Sequence, residues 1–211
     1  MLLSSAYLPP VHYFAKLFQC DGQVADVEQW DNYVKQTYRN RCIIGGADGT
    51  LALTVPTEKS DSPKCLMKDV RISDHGSWRH VHWNALQTVY AGSPFFLYYE
   101  DDFRPFFEKK YTFLFDFNLQ LTQLCCQLID IHPVLRPTDS YVPSDGVADD
   151  CRELIHPKRP YTDDAAFTAV PYWQVFDSRF GFRPNLSIVD LLFNMGPESI
   201  LVLQKCYESN R

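Results

Sequence analysis

The stretch Leu2-Leu3-Ser4-Ser5-Ala6-Tyr7-Leu8-Pro9-Pro10-Val11-His12-Tyr13-Phe14 is the one from which the fold is read. Leu2 to Ser5 reads as a short buried strand. The chain then turns through Tyr7-Leu8-Pro9-Pro10, and Pro10 suits the first position of a helix, where a missing N–H costs nothing. Val11, Phe14, Leu17 and Phe18 recur on one face of that helix. An Asp21-Gly22 turn follows, and Val24 and Val27 predict a second strand over Gln23 to Gln29. Strand, proline turn, helix and strand are the opening of an α/β domain.

Further along, Arg41 to Gly45 and Leu51 to Val55 flank Gly46-Ala47-Asp48-Gly49, which predicts a β-hairpin. Lys68 to Ile72 reads as one more strand. Trp78, Val81, His82, Ala85, Leu86, Val89 and Tyr90 follow helical spacing, and Gly92 and Pro94 end the run. Helices are expected over Asp101 to Lys109 and Leu114 to Ile129. Between Ile131 and Ala165, five prolines, seven acids and four bases predict a long loop, either a binding loop or a plain surface excursion. A short strand is expected near Tyr172 to Phe176. Ser187 with Asp190 reads as a capping box for a helix that Gly196 and Pro197 terminate, and a last helix runs through Cys206. The expectation is one α/β domain over 1–211. A small central sheet occupies about 1–75, and a largely helical half spans about 76–211.

The 26 acids against 20 lysines and arginines leave a net charge of −6 over 211 residues, which disfavours a nonspecific nucleic-acid binder or a basic membrane-surface protein. The seven cysteines follow no framework or zinc-ligand spacing and suit a reduced, cytoplasmic setting. The N-terminus lacks a basic region and meets prolines early, so it does not read as a signal peptide. No apolar run is long enough for a membrane span.

The densest polar constellation is Asn32-Tyr33-Val34-Lys35-Gln36-Thr37-Tyr38-Arg39-Asn40-Arg41. Lys35, Arg39 and Arg41 with the neighbouring hydroxyls and amides can hold phosphate or carboxylate, because arginine offers a planar fork and lysine a point charge. A solvated charged loop is the plainer reading. Tyr7 and Tyr13 bracket the proline turn, either as core aromatics or beside a ligand anion. His80 and His82 lie about 160° apart on a regular helix, which argues against a shared metal. His82 is therefore a satisfied core histidine or a general base. Arg183 and Asn185 stand just before the C-terminal helix with no structural duty evident. The pairs Asp101-Asp102 and Asp149-Asp150 read as solvated acids. No GxSxG, Walker-type loop, HExxH or GxGxxG occurs, and no cofactor is implied.

These segments together resemble the WbqC-like protein family. Tyr7 to Phe14 is similar to its Y-x-P-x-x-x-Y-F signature, Lys35 to Arg41 to its basic motif, and Leu53-Thr54-Val55-Pro56 to the strand that follows. Trp78, His82, Leu86 and Tyr90 fit its W-x-x-x-H-x-x-x-L helix, and Gly181 to Asn194 its C-terminal block. Many members carry Gln-Pro where this chain has Ser4-Ser5, and glycine is common where it has His12. The resemblance implies a bacterial protein of surface-polysaccharide (O-antigen type) biosynthesis. Acyl or aminoacyl transfer to a nucleotide-linked amino sugar is the activity it permits. On that reading the sugar nucleotide or other anion meets Tyr7, Tyr13, Lys35, Arg39, Arg41, Trp78, Arg183 and Asn185. His82 deprotonates the amine, and Tyr38 or Asn40 orients it. A non-catalytic binding module in glycan assembly is the alternative. An ATP-dependent adenylating enzyme is a further one, weakened because the usual HxGH pair is reduced to His12.

Overall fold

The computed structural model describes residues 1–59, 64–145 and 147–208. Its elements in chain order are β1 (Leu2–Ser4), α1 (Val11–Gln19), β2 (Val24–Glu28), β3 (Arg41–Gly46), β4 (Gly49–Thr54), α2 (Trp78–Tyr90), α3 (Phe96–Glu108), α4 (Leu114–Ile129), β5 (Val134–Pro137), α5 (Asp177–Phe180), α6 (Ile188–Met195) and α7 (Ser199–Glu208). The strands form a parallel sheet of order β1-β2-β5 and an antiparallel hairpin β3-β4. The fold is α/β with a largely helical C-terminal half. Among the described residues no helix is long and apolar enough to cross a membrane.

Leu2 and Leu3 are buried, and β1 runs beside β2 with Leu2 opposite Asp26 and Ser4 opposite Glu28. The connection through α1 is the crossover that a parallel pair requires. α1 is buried almost all round, which sets it apart from a one-faced surface helix. Its apolar residues Tyr13, Phe14 and Leu17 join the core. His12 and Lys16, on the same helix, both reach Asp164, at 2.8 and 2.7 Å.

The segment 131–165, expected as a long loop serving either as a binding loop or as a plain surface excursion, contains a strand and packs against α1. Val134–Pro137 is the third parallel strand, with Val24 opposite Val134 and Val27 opposite Pro137. Its edge position lets Val134 lie exposed and tolerates a terminal proline, so it lacks the apolar pattern of a buried strand. Farther on, Leu2 donates to the Asp149 carbonyl (2.9 Å), and the Cys151 N–H donates to the Leu2 carbonyl (2.8 Å). The segment therefore borders both edges of the small sheet.

α2 and α4 occupy the ranges expected from spacing, and the hairpin closes on Ala47-Asp48 with Gly46 opposite Gly49. α3 begins earlier than expected and carries Pro105 inside it. Its first turn exposes Leu97 and Tyr98, which hid the amphipathic period. Lys68–Ile72 is no strand: a single 3-10 turn over Met67–Asp69 occupies it, with isolated bridges from Arg71 to Phe113 and Thr57 to Ile72. The strand expected near Tyr172–Phe176 is irregular backbone. There the Gln174 side chain replaces a neighbouring strand, donating to the Arg183 carbonyl (2.9 Å) and accepting from its N–H (2.8 Å).

The Tyr7–Pro10 turn draws three distant segments together. The Tyr7 N–H donates to the Tyr38 carbonyl (2.8 Å), Val11 N–H to Leu186 (2.9 Å) and Ile188 N–H to Pro9 (2.8 Å), while Ser187 Oγ donates to Leu8 (2.7 Å). The Tyr7 hydroxyl meets His82 Nδ1 at 2.9 Å. His82 is buried, its ring also bonds the Thr54 backbone, and burial pushes its pKa down to about 4. On the opposite side of the core, Phe193 of α6 meets the rings of Tyr90, Phe96 and Phe103, each with centroids 5.2 Å away.

Two stability outcomes follow from this packing. Gly196 joins α6 to α7 at φ +54°, and a Cβ there would stand 2.5 Å from the Phe95 ring. Gly196→Ala is expected to lose roughly 2–4 kcal/mol in urea unfolding, from left-handed strain plus overpacking. His82 is neutral when folded, so as pH falls through about 6.5 the unfolded chain takes the proton first, and stability drops by about 1.4 kcal/mol per pH unit down to about pH 4. Between pH 7.5 and 5, wild type should therefore lose roughly 2 kcal/mol more than His82→Gln. Equal losses in the two proteins would contradict a buried neutral His82.

Candidate functional site

A pocket opens beside the C-terminal end of β1. In parallel α/β sheets this is the end where connecting loops diverge and ligands bind. Ser4 and Ser5 form its base, α1 contributes Tyr13, the basic segment contributes Tyr38 and Arg39, and Arg152 with His156 closes the far wall.

Its charges are largely paired. Arg39, only 6% exposed, forms an ion pair with Asp31, and its Nε has no partner among the described residues. Arg152, also 6% exposed, grips Asp150 with Nε (3.0 Å) and Nη2 (2.6 Å). Its Nη1 reaches the Val142 carbonyl (2.8 Å) and Glu28 (3.3 Å). Glu28, at the end of β2, is fully buried and also accepts from Thr138 Oγ1 and from the Trp30 and Val142 N–H groups. Burial alone would raise the Asp150 carboxyl, but Arg152 brings it below its ordinary value. Asp31 goes the other way: burial raises it, and Arg39 offsets only part. Burial likewise raises the Tyr38 hydroxyl.

Hydroxyls complete the lining. Tyr13 OH donates to the Ser4 carbonyl (3.0 Å), and Asn118 Nδ2 donates to Ser5 Oγ (3.0 Å) and to the Arg39 carbonyl (2.8 Å). Ser4 Oγ is buried with no partner among the described residues. The pocket thus offers one unengaged guanidinium N–H, several hydroxyls and a half-buried imidazole, a set suited to phosphate, carboxylate or sugar hydroxyl groups.

The residues singled out in the sequence separate into groups. Tyr13, Tyr38 and Arg39 line the pocket. Tyr7, Trp78 and His82 pack instead with Phe117 in the core: Tyr7 and Phe117 stack at 5.7 Å, and Trp78 meets His82 edge-on at 5.1 Å. Asn40 is buried and braces β4, its Nδ2 donating to the Val55 carbonyl (3.1 Å). Lys35 is exposed on its loop, and Arg41 lies on the hairpin with Nε donating to Thr54 Oγ1 (3.1 Å). Of the three cations in the basic segment, only Arg39 lines the pocket. Asn185, at φ +55°, accepts from the His12 N–H (2.9 Å), satisfying an orphan donor in the first turn of α1. Arg183 is exposed and belongs to a different pocket.

Two corrections concern residues explained otherwise from sequence. Ser187 and Asp190 form no capping box: Ser187 Oγ donates to the Leu8 carbonyl, and the Asp190 carboxylate faces Tyr90, Tyr172 and Gln174. Asp150 is no solvated acid, since it holds Arg152. Sequence reasoning missed Arg152 and His156 because they lie in the segment taken as a loop. Asp190 had a readable signal, a single carboxylate inside Ile188-Val189-Asp190-Leu191-Leu192-Phe193.

Comparison with known proteins matches residues 4–156 to the WbqC-like protein family. The chain is also similar to the uncharacterized protein Rv1507c of Mycobacterium tuberculosis, 26% identical over 227 residues and covering 97% of each chain. No solved structure matches. The matched span holds the proline turn, the basic segment, the α2 helix and every residue that lines the β1 pocket, and on that extent the chain belongs to the WbqC-like protein family.

Proposed function

We propose that the pocket beside β1 binds a phosphorylated sugar, most simply a sugar nucleotide, in cytoplasmic assembly of surface polysaccharide. The observation that carries this reading is the Nε–H of Arg39, buried without a partner among the described residues in a wall where Ser4 Oγ is likewise unpartnered. Asp31 holds the guanidinium in place, so a ligand phosphate meets a donor whose side-chain entropy is already spent. Ser4 and Ser5 support the same reading. They stand where many members of the family carry Gln-Pro and they floor the pocket, so the ligand's outline differs here from that of those members.

Within this reading, acyl or aminoacyl transfer to an amino sugar uses Tyr38 to orient the acceptor. His82, engaged by Tyr7 and the Thr54 backbone, positions the proline turn. His156, half-buried at the pocket wall, accepts the Lys158 N–H at Nδ1 (3.1 Å), so its Nε2 carries the hydrogen and donates to the ligand. His12 is committed to Asp164 and stacks on Phe167 at 4.4 Å, so it is not free to serve an adenylating centre.

Thermal denaturation with UDP-, GDP- and dTDP-linked amino sugars tests the reading. A ligand at ten times its Kd stabilises by about 1.4 kcal/mol and should raise the wild-type midpoint by about 3–6 °C. Arg39→Lys keeps a charge for Asp31 while removing Nε–H from the fork, and His156→Ala leaves the buried pairs intact; both should lose at least half the shift. Lys35→Ala and Arg41→Ala, outside the pocket, should behave as wild type. Absence of any shift in wild type, or equal loss in all four variants, refutes the assignment.

A further inference from the structure

A second pocket lies between the β3-β4 hairpin and the segment before α6. Asp190 and Gln174 form its floor with Tyr90, the rings of Phe176 and Phe180 line it, and Arg183 stands at its exposed edge. None of these residues lines the β1 pocket.

The floor holds a buried carboxyl with no counter-charge, and burial raises its pKa above the ordinary carboxylate value. Asp190 is 2% exposed. Its Oδ1 accepts from Tyr172 OH (2.8 Å) and Gln174 Nε2 (3.0 Å), and its Oδ2 accepts from Tyr90 OH (2.8 Å). Among the described residues no lysine, arginine or histidine forms an ion pair with it. Every other fully or nearly buried acid with a role here has a cation: Glu28 and Asp150 have Arg152, and Asp164 has Lys16. Side-chain hydrogen bonds from Tyr172, Tyr90, Gln174 and Asn194, with the first turn of α6, offset part of the desolvation cost, but a buried carboxyl without a counter-charge is an expensive group to retain.

The space beside it is kept open by a missing side chain. A Cβ on Gly45 would stand 3.2 Å from Asp190 Oδ2 and within 4 Å of Phe176 and Leu186. Oδ2 accepts from Tyr90 OH and has accepting capacity to spare. The edge is set by the same residue as the floor. Gln174 accepts from the Arg183 N–H, which fixes the orientation of its amide, and its Nε2 donates both to the Arg183 carbonyl and to Asp190. The Arg183 guanidinium rests over the Phe180 ring at 5.5 Å, with no carboxylate partner among the described residues.

We propose that this pocket is a second ligand site, for a small molecule bearing a primary ammonium and an anionic group. The ammonium donates to Asp190 Oδ2, the body of the ligand lies against Phe176 and Phe180, and the anionic group reaches Arg183. An amino acid and a phosphorylated amino sugar share this chemistry.

Calorimetric titration with L-alanine and with D-glucosamine 1-phosphate, each beside its N-acetyl counterpart, decides it. At least one of the two amines should bind, and its N-acetyl form should bind at least about tenfold more weakly, because acetylation removes the charge that Asp190 requires. Which amine binds identifies the source of the ligand. Arg183→Ala, an exposed substitution, should weaken that amine about fivefold or more while leaving both the unfolding midpoint and the response to sugar nucleotides unchanged. Gly45→Ala should weaken it through lost space and Asp190→Asn through lost charge. The proposal fails if neither amine binds at about 10 mM, if amine and N-acetyl form bind alike, or if Arg183→Ala binds as wild type does. Since the two pockets share no lining residue, failure here and failure of the sugar-nucleotide reading are separate results.

Discussion

The turn from Tyr7 to Pro10 is the constraint on which the architecture depends. Two consecutive prolines remove two donors and stiffen the backbone, and Leu8 is held at φ +40°. The carbonyls and N–H groups that remain are buried and must be satisfied somewhere. α1 satisfies the Pro10 carbonyl, and the other partners come from the basic segment at Tyr38, from α2 through His82, and from the stretch around Leu186 to Ile188. The stretches that resemble the family's motifs meet at this turn. Much of what reads as a string of chemical signatures is therefore a set of mutual backbone obligations. Tyr7, Asn40, Trp78, His82 and Asn185 serve it by packing, bracing and capping.

Beyond the turn, each of the two pockets keeps a buried polar group with hydrogen-bonding capacity to spare in its lining. At the end of β1 the excess is a donor, the Nε–H of Arg39 among paired charges. Near the hairpin it is an acceptor, the Asp190 carboxylate among neutral donors. The first place suits a ligand's anionic oxygen and the second a ligand's cation. Burial makes both consequential, because a polar group removed from water without a partner costs far more than a surface pair gains.

The acidic balance of the whole chain gave no hint of this division. Its local basic segment stood out in the sequence, yet folding disperses its cations. Lys35 goes to solvent and Arg41 to the hairpin face, while Arg39 turns inward to Asp31. The cation that shares the pocket with Arg39 is Arg152, more than a hundred positions away in the chain. Sequence proximity therefore grouped side chains whose backbone geometry points them apart.

The amino-acid sequence by itself determined the elements whose signals are local. Spacing placed α2 and the whole of α4, Asp48-Gly49 announced the hairpin, and the proline turn between Leu2–Ser4 and Val11–Gln19 announced a parallel α/β unit. These outcomes depend on interactions a few residues apart, so a single stretch carries them. Only the tertiary structure decided that 134–137 would pair with β2, that Ser187 would bond Leu8 in place of capping its own helix, and that Asp190 would sit without a counter-charge beneath a glycine. Each of those depends on a partner from a remote part of the chain, and the energy of burying a polar group is undefined until that partner arrives.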